Sequence, residues 1–325
     1  MISQRRRYKD YMLYKFILIF SLFSSTLACS SPTSNTQLPV QSHTETDPLS
    51  PELTFGIIYP MAHSFYEVVT ENAEEVAKVS GIELIVKAPD EANLEQQIRI
   101  METLIRQNVD GIAIDPIDSV ALTPYINKAI NAGIPVICFE SDSPASHRLS
   151  FIGADNLQSG TRMGEAINQL LKGRGMVLVE TGMERVESLS ERLEGFLNYI
   201  NNKTDIDVLE VRYNEGNKER ALLQLEQMID DHPHFDAFVA LDFISGSGSV
   251  LVWKAKGLNR YALTLGMMPE LKEAIRNGQI TIALSQNEGL WGELIVKYLL
   301  QAHNGKEIPE FVDTGISLVD LEALK

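Results

Sequence analysis

Apolar and polar positions follow two rhythms along this chain. Short β-branched runs end abruptly in polar clusters, as in VDGIAIDPIDS (Val109 to Ser119) and NAGIPVICFES (Asn131 to Ser141). Runs of this kind read as strands buried on both faces, as in a parallel sheet. Between them lie longer stretches with apolar residues every three or four positions, such as Leu94, Ile98, Met101 and Ile105, the spacing of one helix face. From Leu53 onward the two patterns alternate. Strands are predicted at LTFGIIY, IELIVKA, GIAID, PVICFE and LSFIGAD, with helices between the first four, one of them opened by Ser119 as N-cap and closed by Gly133. Strands alternating with helices imply right-handed βαβ units and a mostly parallel sheet.

Near Gly153 the pattern starts again. Helices and strands alternate through GMVLVE, DVLEVRY, FDAFVAL, YALTLG and ITIALSQ to a last long helix, GLWGELIVKYLLQAHNG, with a further helix predicted from Ser245 to Lys256. The prediction is an α/β chain of two similar lobes rather than one large sheet. The junction at Gly153 is not rich in Pro or Gly, so the lobes are expected to be joined by strands crossing between them. Ligands in open α/β sheets bind beyond the carboxyl ends of the strands. That places Asp115, Asp118, Glu140, Ser141 and Asp142 where a polar ligand is gripped.

The 325 residues carry a formal charge of −16. Arg5, Arg6, Arg7, Lys9 and Lys15 against Asp10 give the first 28 residues a net +4, so the remainder stands at −20. A body this acidic lacks the basic patches that supply nucleic-acid affinity. The amino terminus has the basic start and apolar run of a secretory signal, MLYKFILIFSLFSSTLA, followed by Cys29. This resembles a bacterial lipoprotein signal in which Cys29 is lipidated, although the position three residues before it is Thr26 rather than Leu, Val or Ile. An uncleaved anchor or ordinary signal-peptidase cleavage are the alternatives; each places the body outside the cytoplasm. Residues 29–51 are rich in Ser, Thr, Pro, Gln and Asn, the composition of a flexible tether. The other cysteine, Cys138, reads as a small buried core residue.

The phrases AGIPVI, GADNLQSG (Gly153 to Gly160), ERLEGF (Glu191 to Phe196), DDHPHFDAFVA and RNGQITIALSQ (Arg276 to Gln286), taken in order, resemble periplasmic sugar-binding proteins of the ribose-binding type, the type I periplasmic binding proteins whose core is shared with sugar-responsive repressors. The resemblance runs from about Leu53 to the carboxyl terminus. It implies two Rossmann-like lobes joined by three crossover strands, with ligand between lobes that close on a hinge. On that basis 1–28 is a signal peptide, 29–51 the lipidated tether, 52–153 plus 287–312 one lobe, and 154–286 plus 313–325 the other. A repressor needs an amino-terminal helix-turn-helix, and this chain has an export signal there.

Carried residue by residue, the resemblance implies a ligand site. His63, Phe65 and Tyr66 match the polar and aromatic places after the first strand, for stacking and donation to a hydroxyl. Glu140 keeps the carboxylate of the family's Asp-Arg pair, but Ser141 replaces its arginine. Arg192 falls on the ligand-binding arginine, whose fork suits paired hydroxyls. Gln286 matches the hinge glutamine, whose amide donates and accepts at once. Asp242 is retained, but Leu241 replaces an asparagine, Met267 or Met268 stands where an aspartate is expected, and the aromatic expected near Gly216 is absent, leaving Tyr213 or Asn214 to substitute. Ribose itself fits this set poorly; a less hydroxylated or partly apolar sugar-like solute fits better.

ISGSGS (Ile244 to Ser249) lacks the full dinucleotide fingerprint and the P-loop lysine. His232-Pro233-His234 has no convergent metal-ligating partners. No motif sets a nucleophile beside a base. The expectation is therefore a monomeric binding protein with no enzymatic activity, cofactor or metal. Its partners are an ABC permease or, alternatively, a membrane histidine kinase or chemoreceptor.

Overall fold

The computed structural model describes residues 53–325. The signal, Cys29 and the tether lie outside the described residues. In chain order the elements are β1 (Leu53–Ile58), α1 (Glu67–Ser80), β2 (Ile82–Lys87), α2 (Leu94–Gln107), β3 (Gly111–Ile114), α3 (Ser119–Asn131), β4 (Val136–Phe139) and β5 (Ser150–Gly153). They continue with α4 (Asn156–Leu171), β6 (Arg174–Thr181), α5 (Glu187–Lys203), β7 (Asp205–Tyr213), α6 (Lys218–Asp231), β8 (Ala237–Ala240), α7 (Phe243–Lys256), β9 (Tyr261–Leu265), α8 (Pro269–Arg276), β10 (Ile282–Ser285), α9 (Trp291–His303), β11 (Phe311–Asp313) and β12 (Ser317–Val319).

Two six-stranded sheets result, ordered β11-β5-β4-β3-β1-β2 and β12-β10-β9-β8-β6-β7. Every pairing is parallel except that of β10 with β12. Without their last-added strands the two sheets repeat one winding order, that of a doubly wound fold with its switch point between the first and third strands. The two-lobed α/β architecture read from the sequence is thus present. The central strands β3, β4, β5 and β8 are buried at every residue, which is why they read as unbroken apolar runs. Cys138 lies among them with no exposure.

Short acidic and amide caps start most of the helices on the cleft side. Asn93, Asp118, Asp155, Asn217 and Asp242 each accept a backbone N–H of the first turn. The cap of α3 is therefore Asp118, not Ser119: the aspartate takes the extended Ncap conformation, and Ser119 is already the first helical residue. Helix α7 starts at Phe243, two residues earlier than the glycine-rich sequence suggested, because Asp242 caps it.

Helices α4 and α5 approach through two glycines. A methyl group on Gly160 would lie 1.9 Å from the Arg192 carbonyl oxygen, and one on Gly195 would lie 2.0 Å from that of Leu157. The backbone of Arg192 is thereby held directly against α4. The chain passes between sheets three times: after β5, after β10 and between β11 and β12. Hydrogen bonds bind two of these passages together. Thr314 Oγ1 donates to the Gln286 carbonyl at 2.7 Å, and Asn287 Nδ2 donates to the Thr314 carbonyl at 2.7 Å.

Candidate functional site

The strand ends of the two sheets face each other. A cavity of about 30 Å³ lies between them, lined by Pro60 and Met61 after β1, Asp115 to Ile117 after β3, Gly182 and Met183 after β6, and Asp242 to Ile244 after β8, with Tyr66, Glu140, Val186, Leu189 and Gly216 completing the wall. These four strand ends are the switch points of both sheets, where an open α/β sheet offers its crevice. The volume suits one or two waters.

Each polar residue proposed for the site has a definite place. Glu140 sits at φ 59°, a left-handed conformation uncommon for a residue with a side chain, at the end of β4. Its carboxylate meets Arg192 Nη2 at 3.2 Å and Ser188 Oγ at 3.0 Å across the cleft. Ser141 Oγ accepts the backbone N–H of Ser188 at 3.2 Å. Arg192 is completely buried. Nη1 donates to the Leu241 carbonyl and Nη2 also to Asn156 Oδ1, both at 2.7 Å, while the buried Nε has no hydrogen-bond partner. Leu241, whose side chain replaces a polar one, thus serves through its backbone. Asn156 Oδ1 also accepts from Gln286 Nε2 at 2.8 Å, so Gln286, Asn156, Arg192 and Glu140 form one chain of hydrogen bonds from the crossover to the cleft.

Tyr66 donates to Asp115 Oδ2 at 2.6 Å, and its ring stacks on Tyr59 at 4.3 Å. Burial and the adjacent Glu140 carboxyl hold Asp115 well above the usual carboxylate range. Phe65 does not line the cavity. It stacks on Phe243 of the other lobe, 4.7 Å between centroids and nearly parallel. His63 packs on the same ring, and its Nδ1 accepts the Phe65 N–H at 3.1 Å. Burial lowers the His63 pKa to about 4. Asp242 lines the cavity, but its carboxylate is occupied by Asn214, Ser245 and the first turn of α7. Asn214 thus props Asp242, while Tyr213 points into a separate cavity. Met268 is buried beside Gly266, which lies against Phe65.

The sequence reading missed Phe243, Asn156 and Ser188, the partners that complete these contacts. Phe243 had a signal: an aromatic directly after the strand-end Asp242. Among the described residues no group of three or more His, Cys, Asp or Glu is placed to hold a metal ion.

Two parallel-sheet lobes, three passages between them and a cavity at both switch points define a two-lobed binding protein. Residues 55–307 match the periplasmic binding protein domain, and the chain belongs to that family of substrate-binding proteins. It is 23% identical over 305 residues to the ribose import binding protein of Bacillus subtilis (strain 168), covering 93% of this chain and 96% of that one. It is 25% identical over 308 residues to the D-ribose/D-allose-binding protein of Pseudomonas aeruginosa, covering 90% and 94%. Among solved structures, an ABC transporter solute-binding protein from Burkholderia graminis in complex with D-arabinose superposes with a TM-score of 0.80 at 25% identity, over 84% of this chain and 96% of that one. The fold is that of the sugar-binding solute receptors of ABC transporters.

Proposed function

We propose that this chain is an extracytoplasmic, lipid-anchored solute-binding protein that captures a sugar-like small molecule between its lobes and delivers it to an ABC permease. The observation that carries the reading is the cavity at the paired switch points. It is bordered by Tyr66, Asp115 and Glu140 on one lobe and by Asp242 on the other, with Arg192 joining them from behind. The ligands named for the relatives are sugars, which fits a site offering carboxylates and a guanidinium to hydroxyl groups. Much of the remaining wall is apolar: Met61, Ile117, Met183, Val186, Leu189, Phe243 and Ile244. Asp242 is already paired with its own lobe. The solute is therefore a sugar with an apolar edge, such as a deoxy or methylated one, in preference to ribose.

Lobe closure uses the chain's own groups. Phe65 against Phe243, Glu140 against Arg192 and Ser119 Oγ against Glu187 at 2.7 Å hold the rims together. These contacts favour a second reading, in which the closed form is presented to a membrane histidine kinase or chemoreceptor. Thermal-shift screening of the full chain against pentoses, hexoses and their deoxy and methyl derivatives tests solute capture. At least one raises Tm in the wild type and has no effect on Arg192→Ala. A broad panel without any shift contradicts capture. Crosslinking in native membranes separates the partners: an ABC permease supports delivery, and a kinase or chemoreceptor recovered alone supports sensing.

A further inference from the structure

A second cavity, of about 230 Å³, lies in the carboxyl-terminal lobe outside the cleft. It forms where β6 gives way to α5. Leu189, Leu193 and Leu197, spaced four apart on one face of α5, make one wall, and Tyr213 and Met183 complete the apolar surface. Thr181 lies in this wall. Along β6, Val177 and Val179 face the α4–α5 layer, and Thr181 continues their row by strand alternation. Its register partner on β7 is Tyr213. Thr181 is 1% exposed, yet its hydroxyl oxygen has no hydrogen-bond partner. Buried hydroxyls without partners are uncommon and costly, about 1–3 kcal/mol each.

The mouth has a defined charge. Ser190, Glu184 and Glu194 border it and are exposed, and no lysine or arginine lines the cavity; Arg185, next to Glu184, is not part of the wall. Tyr213 reports the same field, since burial and then Glu184 and Glu215 raise its pKa. An apolar cavity of about 150 Å³ is enough to bind benzene. This one has the size for a substituted ring, a hydroxyl at its buried wall and carboxylates at its opening.

We propose that this cavity is a second ligand site, for a small organic cation with a ring-sized apolar body, an ammonium group at the mouth and a hydrogen-bonding group reaching Thr181. Leu193 and Leu197 sandwich the ring against Tyr213, and Glu184 and Glu194 face the ammonium. Met183 and Leu189 also wall the cleft cavity, so an occupant here presses on two residues that shape the solute site.

Tyramine is the probe, titrated by calorimetry into the full-length chain in detergent micelles. Phenethylamine lacks the phenol hydroxyl, and 4-hydroxyphenylpropionate reverses the charge. Tyramine binds; phenethylamine binds about threefold to tenfold more weakly, the net effect of one hydrogen bond; the anion gives no heat. Leu193→Trp fills the cavity and abolishes tyramine binding. Glu194→Gln, an exposed change that leaves packing intact, weakens it at least twofold. No tyramine binding, equal binding of the anion, or affinity unchanged in Glu194→Gln overturns the proposal. So does a heat that survives Leu193→Trp but disappears in Arg192→Ala, which would put the amine in the cleft.

Discussion

At the residue scale, the side chains read from sequence as ligand contacts are engaged with the protein itself. Residue type and strand-end position were legible; the partners were not, because they lie far away in sequence, some of them on the opposite lobe. Arg192 is the example. Its helix and guanidinium are plain in ERLEGF, but its contacts to Glu140 and Leu241 span 52 and 49 residues. Tyr66, read as a stacking surface for ligand, lines the cavity, and its hydroxyl holds Asp115. His63 makes this testable. Its Nδ1 accepts from the Phe65 N–H, so the ring proton sits on Nε2, and burial outweighs the attraction of Glu270 to lower its pKa to about 4. A lowered base pKa means the unfolded chain takes the proton first. The His63 contribution to stability is thus complete above about pH 6.5 and declines as pH falls towards 4. An NMR titration of the imidazole finds a midpoint near 4, with the Nε2–H tautomer above it; a midpoint between 6 and 7 contradicts this burial.

At the element scale, strand and helix order was readable because β-branched runs and three-to-four spacing survive any tertiary context. Element starts were less so. Asp118 and Asp242 cap where Ser119 and a glycine-rich run drew attention, since a cap depends on one backbone conformation rather than on composition. The close contact of α4 with α5 was invisible, because glycine spacing does not reveal which helix it faces. Gly195→Ala drives a methyl into the Leu157 carbonyl and costs about 1–3 kcal/mol. Gly248→Ala, inside α7 with its nearest neighbour at 3.5 Å, gains about 0.5–1 kcal/mol. Urea denaturation measures both, and equal effects contradict the packing.

Strand β6 carries a further consequence. Glu180 is fully buried there, and neither carboxylate oxygen has a hydrogen-bond partner. Burial, reinforced by Asp242 and opposed by Arg212, raises its pKa from 4.5 to about 9. Between these values the unfolded chain releases a proton that the folded chain keeps, so Glu180 erodes stability as pH rises from 4.5 to 9. Glu180→Gln is neutral throughout. Its stability advantage is about 1 kcal/mol at pH 5 and reaches about 4 kcal/mol by pH 8; a difference independent of pH contradicts a protonated Glu180.

At the scale of the whole molecule, the repeat of one winding order places two switch points face to face, and the chain passes three times between the two sheets. That architecture was legible from the repeated pattern and the resemblance. The character of the cavity was not, since Met61, Met183, Val186 and Phe243 meet only once both lobes are assembled. Their presence separates this site from one built wholly of hydroxyl-binding groups. A hydroxyl forced against that wall loses a partner at a cost of about 1–3 kcal/mol, whereas a methylene there gains about 0.8 kcal/mol. The most direct measurement is calorimetric titration of the full chain with D-ribose and with a series of deoxy and methyl pentoses and hexoses. A deoxy or methyl sugar binding at least tenfold more tightly than D-ribose, with that preference lost in Phe243→Ser, is the predicted result. D-ribose binding as tightly as any member of the series, or no member binding at all, would contradict it.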